Sequence, residues 1–500
     1  MGIIAKQSTY NMIILIIGVV FGAVNNIFLF QIFLTQSQFG IVRFLPLLGF
    51  LAGSIALLGS SQMLLKFVPE YKTDQRPSGG ILRISVQNYL VGLIIVLALL
   101  FEFKHLLIES YRSRASMIEE YFHLVYIITI SYSASELLSA YLQSVLKSTF
   151  QLALKEVLYR ILQSVIVVLF YLQIISFEVF VTSFSFLLVI NVIILLIYLV
   201  KSNLFDLRKN IEATKKRVEI FSYSITNFLS TISGTIISNI DGIMIPALVP
   251  IPVLVTSNYG LELTAIYTFG VYIVSLCTLP GRAISNIAVS VISAAWLRND
   301  KKVLTDIYSK SSINQLMLGS LIFGLIWINI DSFFEIFPKY QESKNIIMIL
   351  GIARLIHVGG GLNGVIIITS KHYKFGLYNS IALMILTVLT NYYMIPRYGI
   401  EGAALATLFS LTIFNVISFF FLLIKFGLQP FSMKTLFGII LTISLIASFY
   451  YLDLNLNPFV EMLLNSVLFT AIFSLISYKL NITPDIHDLA EKFLGRKKST

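Results

Sequence analysis

Residues Ile13–Leu34 read IILIIGVVFGAVNNIFLFQIFL, and this stretch decides the fold. It contains no charged residue, and it is long enough to cross the hydrocarbon core of a bilayer, because a spanning helix needs about 20 mainly apolar residues. It also lacks the apolar–polar alternation of outer-membrane β-strands. Inside a bilayer, backbone polar groups must be satisfied within the segment, which a helix achieves. We therefore expect an all-α membrane protein.

The composition of the whole chain supports the same class. Of its 500 residues, 57% are hydrophobic and 12% are charged, whereas a soluble domain has about 25% charged residues. The net charge of +11 could indicate nucleic-acid binding, but most Lys and Arg residues lie in short segments between apolar runs. This placement follows the positive-inside rule of membrane proteins, so we expect no nucleic-acid partner. The single cysteine, Cys277, lies in an apolar run and forms no disulfide framework.

Similar apolar runs recur along the chain and predict a polytopic protein with about fourteen transmembrane helices. The predicted spans are 11–34, 44–65, 84–101, 121–146, 154–173, 178–200, 220–246, 263–294, 313–330, 345–369, 376–395, 400–424, 435–451 and 460–478. The thirteenth, 435–451, is the shortest. Pro280 falls inside the eighth span, so we expect a kink or a break there.

The charges between the spans predict the orientation and the domain organisation. With the N-terminus in the cytoplasm, most of the 36 Lys and Arg residues fall on the cytoplasmic side, where the C-terminus also lies. The longest inner loop separates two groups of six spans, which suggests a parallel duplication of the kind found in transporters. We expect an N-terminal six-helix lobe over 1–205, a C-terminal six-helix lobe over 206–425, two additional helices over 426–480 and a cytoplasmic tail over 481–500.

Charged residues within the spans indicate the candidate site. A charge at the centre of a membrane costs about 2.5 to 3.5 kcal/mol, so it needs a partner or a water-filled cavity. Arg43, near the outer end of the second span, either extends to the membrane surface or attracts phosphate. Asp241 of the seventh span and Arg354 of the tenth are at matching depths and could form an ion pair, either structural or broken during transport. His357 follows Arg354 on the same face, and either His357 or Asp241 could take a proton.

Two further charges are expected nearer the cytoplasmic side. Arg282 of the eighth span and Glu136 of the fourth could form an inner gate between the two halves. Alternatively each has a local partner, and for Glu136 that partner could be Arg160 of the fifth span. Glu156 and Arg160 are four residues apart, a spacing typical of a structural ion pair within one helix.

Arginine suits a diphosphate ligand, because its planar guanidinium donates paired hydrogen bonds to phosphate oxygens. We therefore expect Arg43, Arg282 and Arg354 to bind the anionic part of a substrate. Polar side chains in the spans are candidates for sugar contacts, with ordinary interhelical hydrogen bonding as the alternative. These candidates are Asn227, Asn239, Tyr267 and Asn363.

Sequence motifs of enzymes are missing. The chain has no Walker-type Gly-Lys-Ser/Thr loop and no His-Glu-x-x-His metal site. The largest outer loop, 102–120, is too short for a catalytic domain. We expect no enzymatic activity, no cofactor and no metal. Gly359-Gly360-Gly361 in the tenth span indicates tight packing or a hinge rather than a phosphate-binding loop.

The most specific stretch is Asn391–Thr407, NYYMIPRYGIEGAALAT. It resembles the Ile-Pro-x-Tyr-Gly-Ile-x-Gly-Ala-Ala signature of polysaccharide flippases in the multidrug/oligosaccharidyl-lipid/polysaccharide exporter superfamily. Pro396 and Gly399 predict a tight turn, and Gly402-Ala-Ala predicts close packing of the following helix. Further matches to the family are Phe67–Tyr71, Asn239–Asp241, Tyr267 and Gly361–Lys371.

This resemblance implies two six-helix lobes around a central cavity, with two extra C-terminal helices. It also implies alternating access that moves an undecaprenyl-diphosphate-linked oligosaccharide from the cytoplasmic to the outer leaflet of the bacterial inner membrane. The substrate would be a repeat unit of O-antigen (lipopolysaccharide) or capsule. Expected partners are the lipid-linked oligosaccharide, membrane lipids and a polymerase or ligase of the same pathway.

Three alternatives stay open. Cation-coupled multidrug exporters of the superfamily commonly have twelve spans and often an acidic residue in the first helix. Lipid II flippases use cavity arginines, including some on the first helix. Ile13–Leu34 contains neither an acidic residue nor an arginine, which disfavours both. A membrane glycan enzyme is the third alternative, and the short outer loops disfavour it.

Overall fold

The computed structural model describes residues 3–73, 77–208, 214–252, 257–452 and 456–483, without the side chains of residues 3–9, 226, 282, 283, 286, 287 and 290. Within these ranges the secondary structure is helical and contains no β-strand, which confirms the predicted class. The chain forms two compact units, Met1–Ala265 and Ile266–Thr500. The lobe boundaries predicted at 205, 425 and 480 follow the charged loops and stay predictions.

The described ranges contain ten helices that are long and apolar enough to cross a membrane, or eleven if one bent pair counts as a single span. The predicted count of fourteen is therefore not confirmed. The eleventh and twelfth predicted spans together form the helical stretch Tyr373–Phe426, which is interrupted at Gly399. The fourth and fifth predicted spans are helical but are not among the ten. Both carry charged residues, and these residues belong to the site described below.

The first unit contains twelve helices and the start of a thirteenth within the described ranges. They are α1 (Ile3–Ala23), α2 (Phe30–Phe33), α3 (Gln36–Ala56), α4 (Ser60–Tyr71), α5 (Ile81–Glu102), α6 (Lys104–Arg112), α7 (Met117–Tyr121), α8 (His123–Ser144), α9 (Ser148–Ala153), α10 (Tyr159–Tyr171), α11 (Phe177–Lys201), α12 (Arg217–Leu248) and α13 (Tyr259–Ser275). A π-helical segment, Val24–Leu29, joins α1 to α2, and a second one, Leu154–Leu158, joins α9 to α10.

Small residues allow α3 and α8 to pack closely. A Cβ atom added at Gly49 would lie 2.5 Å from Cγ2 of Ile128, and one at Gly53 would lie 2.8 Å from Cδ1 of Tyr132. Lipid tails are as apolar as Leu, so helices in a bilayer associate largely through such close packing. These contacts fix the position of α8 and of its polar side chains, including Glu136.

The second unit continues α13 and contains eight further helices in the described ranges. They are α14 (Leu279–Leu297), α15 (Lys301–Ile328), α16 (Ile330–Ile336), α17 (Ser343–Gly359), α18 (Asn363–Thr369), α19 (Tyr373–Phe426), α20 (Met433–Tyr450) and α21 (Pro458–Lys479). A 3₁₀ turn, Leu276–Thr278, separates α13 from α14, and Pro280 lies in the first turn of α14. The break predicted at Pro280 is therefore present.

Helix α19 consists of two helical segments that meet at Gly399. This residue has φ 58° and ψ −138°, which is not helical. The side-chain nitrogen of Asn379 donates a hydrogen bond of 2.9 Å to the Ser418 hydroxyl. These two residues lie at nearly equal distances in sequence from Gly399, so the two segments run antiparallel. The turn predicted from Pro396 and Gly399 is confirmed.

The second half of this hairpin packs against the backbone of the first. A Cβ atom added at Gly402 would lie only 2.3 Å from the carbonyl oxygen of Met394. Ala403 and Ala404 are fully buried beside it. The close packing predicted from Gly402-Ala-Ala is present as well.

The two C-terminal helices α20 and α21 pack against α15 and α16 of the same unit. A Cβ atom added at Gly438 would lie 2.6 Å from the sulfur of Met317. Phe469 of α21 is fully buried and covers Gly324 of α15. The side-chain nitrogen of Asn329 donates a hydrogen bond of 3.0 Å to the Ser466 hydroxyl. The last two predicted helices are thus an integral part of the second unit.

Candidate functional site

The π-helical segments of the first and fifth spans mark the centre of the site. In a π-helical turn the backbone hydrogen bonds run from i to i+5, and such segments occur frequently at functional sites. The buried Asn25 joins the two spans: its side-chain nitrogen donates a hydrogen bond of 2.8 Å to the carbonyl oxygen of Arg160. Its side-chain oxygen accepts a hydrogen bond of 2.5 Å from the Ser164 hydroxyl.

A predicted ion pair lies beside this contact. Nη2 of Arg160 lies 2.7 Å from Oε2 of Glu156, so the pair expected from the four-residue spacing is confirmed. The side chains are 25% and 20% exposed, respectively. Gly18 of α1 lies against Glu156, since a Cβ atom there would be 2.8 Å from the Cβ atom of Glu156. The fifth span therefore holds its charged pair directly against the first.

Glu136 of α8 forms a second ion pair with the fifth span. Its Oε1 atom lies 2.5 Å from Nζ of Lys155, and the two side chains are 28% and 47% exposed. Tyr132, one turn before Glu136, is close enough to interact electrostatically with both charges. A local partner for Glu136 was one of the predicted alternatives. That partner is Lys155 rather than Arg160, whose carboxylate partner is Glu156.

Arg43 of α3 lies among aromatic side chains of the first unit. Its Cζ atom lies 5.0 Å from the ring centroid of Phe39 and 5.6 Å from that of Phe30, which permits cation–π interactions. Arg43 and Arg160 are both close enough to Tyr159 to interact with it electrostatically. Arg43 is half-buried within the unit, and its role in substrate binding stays a prediction.

These residues form one connected polar network inside the first unit. Lys155 interacts electrostatically with Glu156, which links the two ion pairs. Tyr159 then links Arg160 to Arg43. Each charge would cost about 2.5 to 3.5 kcal/mol in lipid, so we expect the exposed part of the network to face water. The network consists of Arg43, Tyr132, Glu136, Lys155, Glu156, Tyr159 and Arg160.

A second polar cluster surrounds a break in the tenth predicted span. Helices α17 and α18 meet at an angle of 45°. Between them Gly361 has φ +59°, a conformation that L side chains rarely adopt. A Cβ atom at Gly360 would lie 2.8 Å from Oδ1 of Asn415 and 2.9 Å from Nδ2 of Asn363. The span is therefore bent at these glycines, and Gly360 and Gly361 pack tightly, whereas Gly359 makes only an ordinary contact.

Arg354 and His357 lie in the last two turns of α17, before this break. Arg354 is close enough to His357 to interact with it electrostatically, as expected for two residues on one helix face. Nδ1 of His357 lies 3.4 Å from Nδ2 of Asn415, and Nδ2 of Asn363 donates a hydrogen bond of 3.2 Å to Oδ1 of Asn415. Asn415 thus connects the predicted site residues to the glycine break. Asn363, one of the candidates for sugar contacts, also lies in this cluster, where it makes a hydrogen bond between helices.

The other predicted residues are placed as follows. Asn239 and Asp241 lie half-buried on α12 of the first unit, and Nδ2 of Asn239 donates to the carbonyl oxygen of Thr235 in its own helix (2.7 Å). Tyr267 belongs to the second unit and is 2% exposed. Arg282 lies in α14, and its side chain is outside the described part of the chain. The pairing of Asp241 with Arg354 and the gate between Glu136 and Arg282 stay predictions.

Sequence reasoning did not select Lys155, Tyr159 or Tyr132 as site residues. One signal was available for the first of these: Lys155, Glu156 and Arg160 place three charges on one span, which is unusual in a membrane helix. Nothing in the sequence indicates which neighbouring helix they face. Among the described residues, no group of three or more His, Cys, Asp or Glu side chains could hold a metal ion.

Comparisons with known proteins bear on the fold. No protein-family model matches the sequence, and no curated protein matches it either. Among solved structures, the chain is similar to the lipid II flippase MurJ in an inward closed conformation. That match has a TM-score of 0.68 at 15% sequence identity, and it covers 96% of this chain and 100% of the other.

Two further similar structures are transporters of the MOP superfamily. One is a multidrug resistance MATE family transporter in an inward-facing conformation, with a TM-score of 0.60, 13% identity and coverage of 84% of this chain and 98% of the other. The second is a MOP superfamily transporter from Pyrococcus furiosus, with a TM-score of 0.53, 13% identity and coverage of 84% and 95%. On this evidence of shape, the chain has the fold of MOP superfamily transporters.

Proposed function

We propose that the protein is a flippase that moves an undecaprenyl-diphosphate-linked oligosaccharide from the cytoplasmic to the outer leaflet of a bacterial inner membrane. It would work by alternating access, with both termini in the cytoplasm. The substrate would be a repeat unit of a surface polysaccharide such as O-antigen or capsule. A polymerase or ligase that uses the translocated unit would be its functional partner.

The observation that carries this proposal is the polar network of the first unit. Three cations, Arg43, Lys155 and Arg160, occupy mainly apolar helices, and the ion pairs of Lys155 and Arg160 are partly exposed. Cations in a membrane-spanning unit are costly unless they face a cavity, and they commonly mark substrate pathways. A diphosphate between a long apolar chain and a sugar is an anionic group that such cations suit, since guanidinium and ammonium groups bind phosphate oxygens strongly.

The second unit contains a further cation, Arg354, together with neutral polar side chains. Arg354, His357, Asn363 and Asn415 surround a glycine break that bends the span. A broken helix at membrane depth exposes backbone groups, which is tolerated where the backbone is buried in protein or lines a cavity. In the proposed function Arg354 meets the diphosphate, and the asparagines contact sugar hydroxyls.

The structural similarities support a flippase more than a drug exporter. The similarity to the lipid II flippase extends over 96% of the chain, whereas that to the MATE transporter extends over 84%. The two C-terminal helices α20 and α21 pack tightly on the second unit, and the resemblance of the sequence to polysaccharide flippases implies such an extra pair.

A cation-coupled multidrug exporter is the second candidate, because MATE transporters share the fold. The two candidates differ in the phenotype of a deletion strain. Loss of a flippase should reduce surface polysaccharide and leave drug sensitivity unchanged. Increased drug sensitivity with normal polysaccharide would favour the exporter.

A reconstituted assay tests the proposal directly. Purified protein in liposomes should move a fluorescent undecaprenyl-diphosphate-linked oligosaccharide to the opposite leaflet, and a membrane-impermeant quencher would measure the accessible fraction over time. Empty liposomes are the control. If the protein accelerates the movement of no diphosphate-linked sugar, the proposed function is wrong.

A further inference from the structure

Two cations of the fifth span are paired with carboxylates, and part of each cationic side chain remains exposed. Lys155 is paired with Glu136 at 2.5 Å, and its side chain is 47% exposed. Arg160 is paired with Glu156 at 2.7 Å, and its side chain is 25% exposed. An accessible cation can exchange one anionic partner for another without any change in helix packing.

The π-helical segment Leu154–Leu158 reduces the angle between these two cations around the axis of the fifth span. In a regular α-helix, residues five apart such as Lys155 and Arg160 lie about 140° apart around the axis. The π-helical segment Leu154–Leu158 turns less per residue, because its hydrogen bonds run from i to i+5, and it therefore reduces this separation. Glu156 interacts with both Lys155 and Arg160, which agrees with this arrangement.

We propose that Lys155 and Arg160 form a diphosphate-binding site and that Glu136 and Glu156 are its resident counter-anions, which the lipid diphosphate displaces. This inference rests on the proposed function, since it names the residues of the first unit that bind the diphosphate and explains how it is released.

The carboxylates have two physical effects in this scheme. Without a ligand they neutralise cations that would otherwise be unpaired in a membrane unit, which is strongly unfavourable. With a ligand present they compete with it, because phosphate and carboxylate oxygens accept hydrogen bonds from the same donors. Competition weakens binding and therefore speeds release, which a transporter needs at the end of each cycle.

The proposal predicts effects of opposite sign for the two partners of each pair. Removing a cation, as in K155A or R160A, should weaken the binding of undecaprenyl diphosphate by about tenfold or more, the size expected for a charged hydrogen bond. Removing a competing carboxylate, as in E136Q or E156Q, should instead tighten binding several-fold. The Gln variants should also slow flipping, because the ligand leaves more slowly.

The experiment measures the binding of undecaprenyl diphosphate to full-length protein in nanodiscs for wild type and the four variants. A matched ion pair on α15, Lys310 with Asp306 at 2.9 Å, supplies the controls K310A and D306N, which should bind as wild type does. A parallel titration with inorganic pyrophosphate identifies the source of the anion. The predicted sign pattern is weaker binding by K155A and R160A and tighter binding by E136Q and E156Q. If both titrations show this pattern, the protein recognises the diphosphate headgroup alone. If only the titration with undecaprenyl diphosphate shows it, the polyprenyl chain is also needed for binding.

The opposite result would be a loss of affinity in E136Q and E156Q similar to that in K155A and R160A. The ion pairs would then be structural, and the proposal would be wrong. E136D and E156D, which keep the charge but shorten its reach, guard against a Gln variant that fails to fold, and they too should bind more tightly. If wild type binds and flips the lipid-linked sugar without the sign pattern, only the counter-anion proposal fails. If wild type binds neither the lipid diphosphate nor pyrophosphate, the proposed function fails with it.

Discussion

The side-chain nitrogen of Asn25 donates a hydrogen bond to the backbone carbonyl oxygen of Arg160 across 2.8 Å. The hydroxyl of Ser164 donates to the same carbonyl at 3.0 Å and to the amide oxygen of Asn25 at 2.5 Å. The three groups close a small hydrogen-bonded ring between the first and fifth spans. This ring lies next to both π-helical segments. It therefore connects the first and fifth spans directly beside the charged residues of the network.

Replacement of Asn25 by Ala should destabilise the first unit by about 0.5 to 2 kcal/mol, the range for interhelical hydrogen bonds in membranes and for buried hydrogen bonds in general. Thermal unfolding of the detergent-solubilised protein measures this. Asn26→Ala is the matched control, because the side-chain nitrogen of Asn26 bonds to the Gly22 carbonyl of its own helix. Equal destabilisation by both substitutions would show that the hydrogen bond from Asn25 to Arg160 contributes no more stability than a hydrogen bond within one helix.

The hairpin turn at Gly399 should not tolerate a side chain. Its φ of 58° with ψ of −138° suits Gly alone, and an L-residue held there costs about 1 to 3 kcal/mol. Gly399→Ala should therefore lower the unfolding temperature although no atom lies within 4 Å of the added Cβ. Gly402→Ala should be at least as harmful, because its Cβ would overlap the Met394 carbonyl, and overpacking costs about 1 to 3 kcal/mol.

Gly364→Ala is the control for both hairpin variants. An added Cβ at Gly364 meets nothing within 4 Å, and its φ is not in the left-handed region. Its unfolding temperature should equal or slightly exceed that of wild type, because Ala favours helix over Gly. A normal unfolding temperature for Gly399→Ala would contradict the strained turn.

The break after α17 should depend on Gly361 more than on Gly359. Gly361 has φ +59°, and an added Cβ would lie 2.9 Å from the backbone nitrogen of Ser312. Gly361→Ala should lower stability by about 1 to 2 kcal/mol for the left-handed conformation alone and should also reduce flipping. Gly359→Ala makes only an ordinary contact of 3.6 Å with Leu316 and should behave as wild type. Unfolding and flipping rates of the two variants, measured side by side, test this difference.

Substitution of Arg282 or Arg354 by Ala should reduce flipping by about tenfold or more while the protein remains inserted in the membrane, because in the proposed function each arginine donates a charged hydrogen bond to the diphosphate. Flipping rates in liposomes and the amount of membrane-inserted protein are the two measurements. Arg397→Ala is the control, since Arg397 is exposed and its guanidinium lies against the ring and carbonyl of Tyr393. Normal export by both Arg282→Ala and Arg354→Ala would rule out a phosphate path that includes these two arginines.

Local features of the site were predictable, and long-range ones were not. The Glu156–Arg160 pair follows from spacing within one helix, and the bend near Gly359–Gly361 follows from composition. The partner of Glu136, in contrast, lies on another helix and could not be predicted from a short segment. Nothing in the sequence ranks Lys155 above Arg160 as that partner, because the choice depends on how α8 is rotated and shifted against the fifth span. The π-helical segment Leu154–Leu158 also changes which side chains of that span face α8.

The sequence by itself determined the helical membrane class, the tight turn at Gly399 and the ion pair within the fifth span. Each of these depends on a short segment: the length of an apolar run, the backbone freedom of a glycine, or a four-residue spacing. Only the tertiary structure decided that Asn25 meets Arg160, that Lys155 meets Glu136 and that Arg43 joins them through Tyr159. These contacts depend on the packing of separate helices, where close approach at residues such as Gly18 and Gly53 sets the register between side chains far apart in sequence.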